Sequence, residues 1–232
     1  FSGFHTRVWQ GEELPDGIRF SLYSPDGEGG FPGNIRVITD YRFNEDNELS
    51  VRHYAETDCA TYINMTNHAY FNLCGKGKKI TEHRLHIPAD RILDTTPAFI
   101  PTGKRMNVKN TPFDFTSLKP IGTDLYADHE QLLWNKGYNH CYILKDEISV
   151  EMLEAASLYE PVTGRNMTVM TDLPAVLLYT AGYYERPDTA VCLETQFYPD
   201  TPSHSDFPSC LVLPEKAYEH CTLFHFQVQK EE

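Results

Sequence analysis

The chain has 232 residues, 41% hydrophobic and 23% charged, which is ordinary globular composition with enough length for a sizeable core. A formal charge of −13 excludes the basic footprint that nucleic acid or an anionic membrane surface requires. No apolar run approaches the roughly 18 residues of a transmembrane helix, and the opening FSGFHTRVWQ lacks the pattern of a signal peptide.

Taken in chain order, the apolar periodicity is mostly of period 2. Ile18, Phe20 and Leu22 alternate before SPDGEGGFPGN, whose glycines and prolines forbid a regular element. Ile35, Val37, Thr39, Tyr41 and Phe43 alternate next, and after the acidic turn NEDNE the run Leu49, Val51, His53, Ala55 predicts the returning strand of a hairpin. Further strands are expected near 62–73, 83–89, 141–145, 148–157, 165–171, 175–180, 190–197 and 221–228, with one short helix between Asp124 and Leu133. The segment 91–140 reads as mostly irregular. Many strands, frequent turns and little helix predict an all-β protein, a large antiparallel β-sandwich in one domain spanning 1–232.

The six cysteines (59, 74, 141, 192, 210, 221) form no C-x-x-C pair and fall mostly in predicted strands, which points to reduced thiols and a cytoplasmic protein. His83 and His86 have H-x-x-H spacing, but on a strand that spacing puts them on opposite faces, so no metal site is assigned. Asn64-Met-Thr and Asn166-Met-Thr match a glycosylation sequon, a weak signal without evidence of secretion.

Two stretches carry chemistry. In TNHAYFNLCG (66–75) and the residues just before it, Ile63, Met65, Ala69, Phe71 and Leu73 share one face, with Asn67 as a polar exception. Tyr62, Asn64, Thr66, His68, Tyr70 and Asn72 share the other, a face of hydrogen-bonding and aromatic groups that suits a wet cleft. A core histidine satisfied by a backbone carbonyl is the competing explanation. In VCLETQFYPDTP (191–202), Val191, Leu193, Thr195 and Phe197 oppose Cys192, Glu194, Gln196 and Tyr198. A mid-strand Glu194 in partly desolvated surroundings has its pKa pushed towards the range of a general base, whereas on an open face it would be merely solvated. If the two polar faces meet, His68 and Glu194 form an acid/base pair. No glycine loop enters a helix to cradle phosphate and no G-x-S-x-G elbow presents a nucleophilic serine.

TNHAYFNLCG and LETQFYPDTP resemble the two signature stretches of the aldose 1-epimerase (galactose mutarotase) family. FHTRVWQ, SPDGEGGFPGN, IPTGK, TPFDF, GYNHCYIL, LYEPVTGRNMTV and FPSCLVLPEKAY resemble it too, in the family's order. The resemblance implies a galactose-mutarotase-like β-sandwich, no metal, no cofactor, and interconversion of the α and β anomers of hexoses such as glucose and galactose. It implies His68 as general acid, Glu194 as general base, and Tyr70 near the sugar. Asn139 stands where the family has a sugar-binding aspartate, and Leu177 where it often has a glutamine. The family's H-G-G histidine and its upstream asparagine and arginine have no counterpart in the sequence, so on the order of another 50–100 residues are expected before Phe1. The expected function is an aldose 1-epimerase acting on a hexose. The alternative is a catalytically weak sugar-binding relative.

Overall fold

The computed structural model describes residues 3–75 and 77–229. Its strands are β1 (Gln10–Leu14), β2 (Gly17–Ser24), β3 (Ile35–Phe43), β4 (Glu48–Thr57), β5 (Thr61–Tyr62), β6 (Arg84–His86), β7 (Arg91–Thr95) and β8 (Pro101–Asn107). There follow β9 (Lys119–Pro120), β10 (Asn139–Ile143), β11 (Leu153–Tyr159), β12 (Arg165–Thr171), β13 (Ala175–Tyr179), β14 (Cys192–Gln196), β15 (Leu211–Val212) and β16 (Tyr218–Val228). A nine-stranded sheet runs β1-β2-β3-β4-β16-β12-β11-β6-β9, a five-stranded sheet runs β14-β13-β10-β7-β8, and β15 pairs β5. The ladders are antiparallel, as the alternating sequence pattern requires.

The two large sheets face each other across one core. Val51, Leu85, Leu158, Met167, Val169 and Phe224 come from the nine-stranded sheet, and Ile92, Tyr142, Val176, Leu178 and Leu193 from the five-stranded one. These side chains are buried, and their removal from water is the main favourable term in closing the sandwich. A second cluster joins Leu22, Ile35, Val37 and Ala55 to Ile63, Met65, Phe197 and Val212. A third, of Leu93, Cys141, Ile143, Ala175, Tyr198 and Phe207, covers the outer face of the five-stranded sheet. That sheet is therefore packed on both faces, and the outer one also carries the polar residues discussed below. None of its described helices is long and apolar enough to cross a membrane.

Three expectations need correction. The segment 91–140 is not mostly irregular: β7 and β8 form a hairpin at the edge of the five-stranded sheet. Its signal was masked because Pro101 and Gly103 sit inside β8, both normally depleted in strands. The short helix expected between Asp124 and Leu133 is Glu130–Asn135, ending two residues beyond that stretch, with His129 Nδ1 accepting from the Gln131 N–H as its cap. The stretch 62–73 is not a strand beyond Tyr62. Its burial alternates, with Ile63, Met65 and Leu73 buried and Asn64, His68 and Tyr70 exposed, but it has no continuous ladder. Strand-like alternation here reflects packing of one face, which needs no backbone partner.

The turn joining β11 to β12 shows how little room some backbone positions leave. The Glu160 carboxylate accepts from the backbone N–H groups of Val162 and Thr163 and from the Thr163 hydroxyl, closing the turn. Gly164 then takes φ of +70°, and a Cβ placed there would lie 2.1 Å from the Gln229 carbonyl oxygen. Gly164→Ala is expected to destabilise the fold by about 1–3 kcal/mol, read as a lowered midpoint in thermal unfolding.

Candidate active site

The five-stranded sheet gathers one face of polar residues by register alone. Leu177 lies opposite Glu194, and Tyr179 opposite Cys192, in the β13–β14 pairing. Asn139 lies opposite Tyr179, and Cys141 opposite Leu177, in the β10–β13 pairing. Directly paired residues share a face, so Asn139, Leu177, Tyr179, Cys192 and Glu194 all project to the same side. Leu177 is the immediate neighbour of Glu194, whereas Asn139 is two strands away, roughly 10 Å by strand spacing. The asparagine amide makes no hydrogen bond among the described residues, and its backbone N–H donates to Nδ1 of His140. His140 faces the core instead, where burial lowers its pKa to about 3 and leaves it a neutral packing residue against Phe113.

His68 is delivered to this face from the 63–73 segment. Its Nε2 lies 3.3 Å from Glu194 Oε1, the histidine side chain 49% exposed and the glutamate 9%. Burial pushes the Glu194 carboxyl up to about 7, opposed by the attraction of His68. A buried carboxylate next to a solvent-reachable imidazole is thus what the two sequence faces produce when they meet. Tyr70 completes an aromatic rim: its ring is 4.9 Å from that of His68, 6.4 Å from Tyr179 and 5.4 Å from Tyr184. Behind Glu194, on the inner face, Thr195 and Thr222 share a hydroxyl hydrogen bond that ties β14 to β16 across the two sheets. A cavity of about 880 Å³ lined by Trp9, Phe20, Tyr41, His53 and Met65 reaches His68 at one edge. Glu194 is not among its walls, so the His68–Glu194 pair sits at its margin.

Asparagines hold the histidine segment in place. Asn67 Nδ2 donates to the Tyr41 hydroxyl at 2.7 Å, and its Oδ1 accepts from the Ala69 N–H, making a local turn around His68. Asn72 Nδ2 donates to the carbonyls of Lys78 and Thr189. Asn67 on the apolar face is therefore a satisfied, half-buried amide. Asn64 and Asn166, the two sequon asparagines, are also bonded within the protein. Tyr179 and Tyr184 escaped sequence reasoning; for Tyr179 the signal was present, since it lies two residues beyond Leu177 on the same strand.

His68, Cys192 and Glu194 bring one nitrogen, one sulfur and one oxygen within 4.8 Å of one another. The set suits a zinc ion in ligand type. Burial, aided by the Glu194 carboxylate, holds the Cys192 thiol in its protonated form, a poor ligand. The H-x-x-H histidines do not converge: His83 is fully buried and accepts from the Leu73 N–H, while His86 pairs with Glu154.

A histidine and a buried glutamate thus meet on a polar, aromatic-rimmed sheet face, and known proteins resemble the chain in both sequence and fold. Residues 2–225 match the family model described as aldose 1-epimerase. The chain is 34% identical over 240 residues to galactose mutarotase of Rattus norvegicus, covering 98% of this chain and 68% of that protein. It is 32% identical over 237 residues to aldose 1-epimerase of Escherichia coli K12, covering 97% of this chain and 68% of that protein. In fold it is similar to the crystal structure of an aldose epimerase homologue from C. elegans, with a TM-score of 0.84 at 24% identity over 97% of this chain and 70% of the other. Sequence along nearly the whole chain and fold agree, and the chain belongs to the aldose 1-epimerase family.

Proposed function

We propose that the protein interconverts the α and β anomers of a hexose, with Glu194 as general base and His68 as general acid. The observation that carries this is their 3.3 Å separation. In a cyclic aldose the two oxygens that must exchange protons, the anomeric hydroxyl O1 and the ring oxygen O5, are bonded to the same carbon. An acid and a base serving them must therefore lie a few ångströms apart, as these two do.

The steps balance without any external reagent. Glu194 removes the proton from O1, the freed electron pair forms the C1=O1 carbonyl, the C1–O5 bond breaks, and O5 takes a proton from His68. Rotation about C1–C2 turns the other carbonyl face towards O5. The O5 hydroxyl then returns its proton to His68 as O5 attacks C1, and O1 recovers the proton held by Glu194. A base with a pKa near 7 can both take and return that proton at neutral pH, where a free glutamate would be too weak. The rim of Tyr70, Tyr179 and Tyr184 offers ring faces to the apolar side of a pyranose. We further infer a reducing, cytoplasmic setting, which the six unpaired cysteines favour.

The activity is tested by adding the protein to freshly dissolved α-galactose or α-glucose and following optical rotation. Faster approach to equilibrium than in buffer supports the proposal, and an unchanged rate overturns it. Asn139 gives a second test. An amide accepts from sugar hydroxyls less strongly than a carboxylate, so Asn139→Asp is expected to lower KM by about fivefold, the difference of roughly 1 kcal/mol between neutral and charged hydrogen bonds. An unchanged KM would place Asn139 outside the sugar's reach.

A further inference from the structure

The segments bearing His68 and Glu194 are fastened to each other at two points that flank the pair. At one, Phe71 and Val191 exchange backbone hydrogen bonds of 2.8 and 2.9 Å, an ordinary antiparallel rung. At the other, a side chain substitutes for the backbone. Asn64 Nδ2 donates to the Phe197 carbonyl at 3.1 Å, and Asn64 Oδ1 accepts from the Phe197 N–H at 2.9 Å. An asparagine amide has the donor and acceptor of a peptide group, so the pair imitates one rung of a ladder.

Between these two fastenings the chains do not pair, although His68 and Glu194 lie opposite each other in the register that the Phe71–Val191 rung defines. The span from Asn64 to Phe71 is one residue longer than that from Val191 to Phe197, and the surplus is taken up in the Asn67–Ala69 turn. A rung made through a side chain also holds the two backbones farther apart than a backbone rung would. Both features open a gap in the ladder where the side chains of His68 and Glu194 meet. We propose that Asn64 is a positioning residue, whose amide sets the register and spacing of the acid/base pair. The inference rests on the assignment of His68 and Glu194 as that pair.

Asn64 is exposed and belongs to none of the three buried clusters, so its replacement leaves the core intact. Asn64→Ala removes both bonds. Asn64→Asp, nearly the same in shape, keeps the acceptor but loses the donor and sets a carboxylate against the Phe197 carbonyl. Displacements below about 1 Å are enough to slow positioned proton transfer, and each variant is expected to lower kcat by about 10- to 100-fold with KM within twofold. A role confined to stability would lower the unfolding temperature and leave kcat of the folded enzyme alone.

The decisive experiment is a cycle on the full chain, with kcat and KM measured for the parent, Asn64→Ala, Asn64→Asp, Glu194→Gln and Glu194→Gln combined with Asn64→Ala. If Asn64 works by placing the pair, its effect on kcat should disappear once Glu194 is gone. Asn64 variants with parental kcat, or an equal loss in both backgrounds, would overturn the inference while leaving the acid/base assignment standing. Parental turnover in Glu194→Gln would overturn both.

Discussion

Replacing Glu194 by glutamine is expected to abolish most anomer exchange and, above pH 7, to make the fold more stable. Loss of the base should reduce kcat by about 10²–10⁴-fold, the range that positioned acid/base groups contribute. The stability gain follows from burial. A free glutamate ionises near 4.5, whereas Glu194 in the folded chain ionises near 7. Below about 4.5 the carboxyl is protonated in both states and folding loses nothing by burying it. As pH rises towards 7 the unfolded chain gives up a proton that the folded chain keeps. Stability present below 4.5 is thus lost progressively and is gone above about 7. Glutamine carries no charge to desolvate, so the variant should be more stable at pH 8 by up to about 3 kcal/mol, and no more stable at pH 4. Thermal or urea unfolding at the two pH values checks this. A variant less stable at pH 8 would show that contacts of the carboxylate outweigh its desolvation.

His68→Asn should have a comparable effect on turnover and a different one on stability. Without the acid, O5 must leave as an alkoxide or draw its proton from water, and kcat is expected to fall by about 10²-fold or more. The side chain is half exposed, so unfolding temperature should change little. In the proposed mechanism acid and base act in one concerted step, so the double variant with Glu194→Gln should be scarcely slower than the worse single one. Steady-state polarimetry on the three variants reads the turnover, and thermal unfolding reads the stability. Near-normal turnover of His68→Asn would remove it from the mechanism.

Much of this arrangement could be read from the chain, because the sandwich repeats one pattern. Alternation placed β3, β12 and β13 nearly to the residue, and it assigned His68 and Glu194 to their polar faces. Where it failed, tertiary packing supplied what the local pattern lacked. β7 and β8 are held by their place at the sheet edge despite a proline and a glycine in the second strand. The run from Ile63 to Leu73 alternates like a strand yet pairs with nothing along most of its length. Its asparagines looked like groups for a ligand, but Asn64, Asn67 and Asn72 spend their amides on the protein itself. No local signal tells those two uses apart, since the partners, Phe197, Tyr41 and Thr189, are remote in sequence. The same distance hid the meeting of Tyr70 with Tyr179 and Tyr184.

The central claim, that His68 and Glu194 exchange protons with the two oxygens of an anomeric carbon, is tested most directly by exchange spectroscopy on equilibrated galactose. The α and β C1 proton signals report the rate of interconversion at each pH, for the parent chain and for Glu194→Gln. The rate with the parent chain should exceed that in buffer, and the variant should fall to near the buffer rate at every pH. Exchange no faster than buffer at any pH, or equally fast with glutamine at 194, would contradict it.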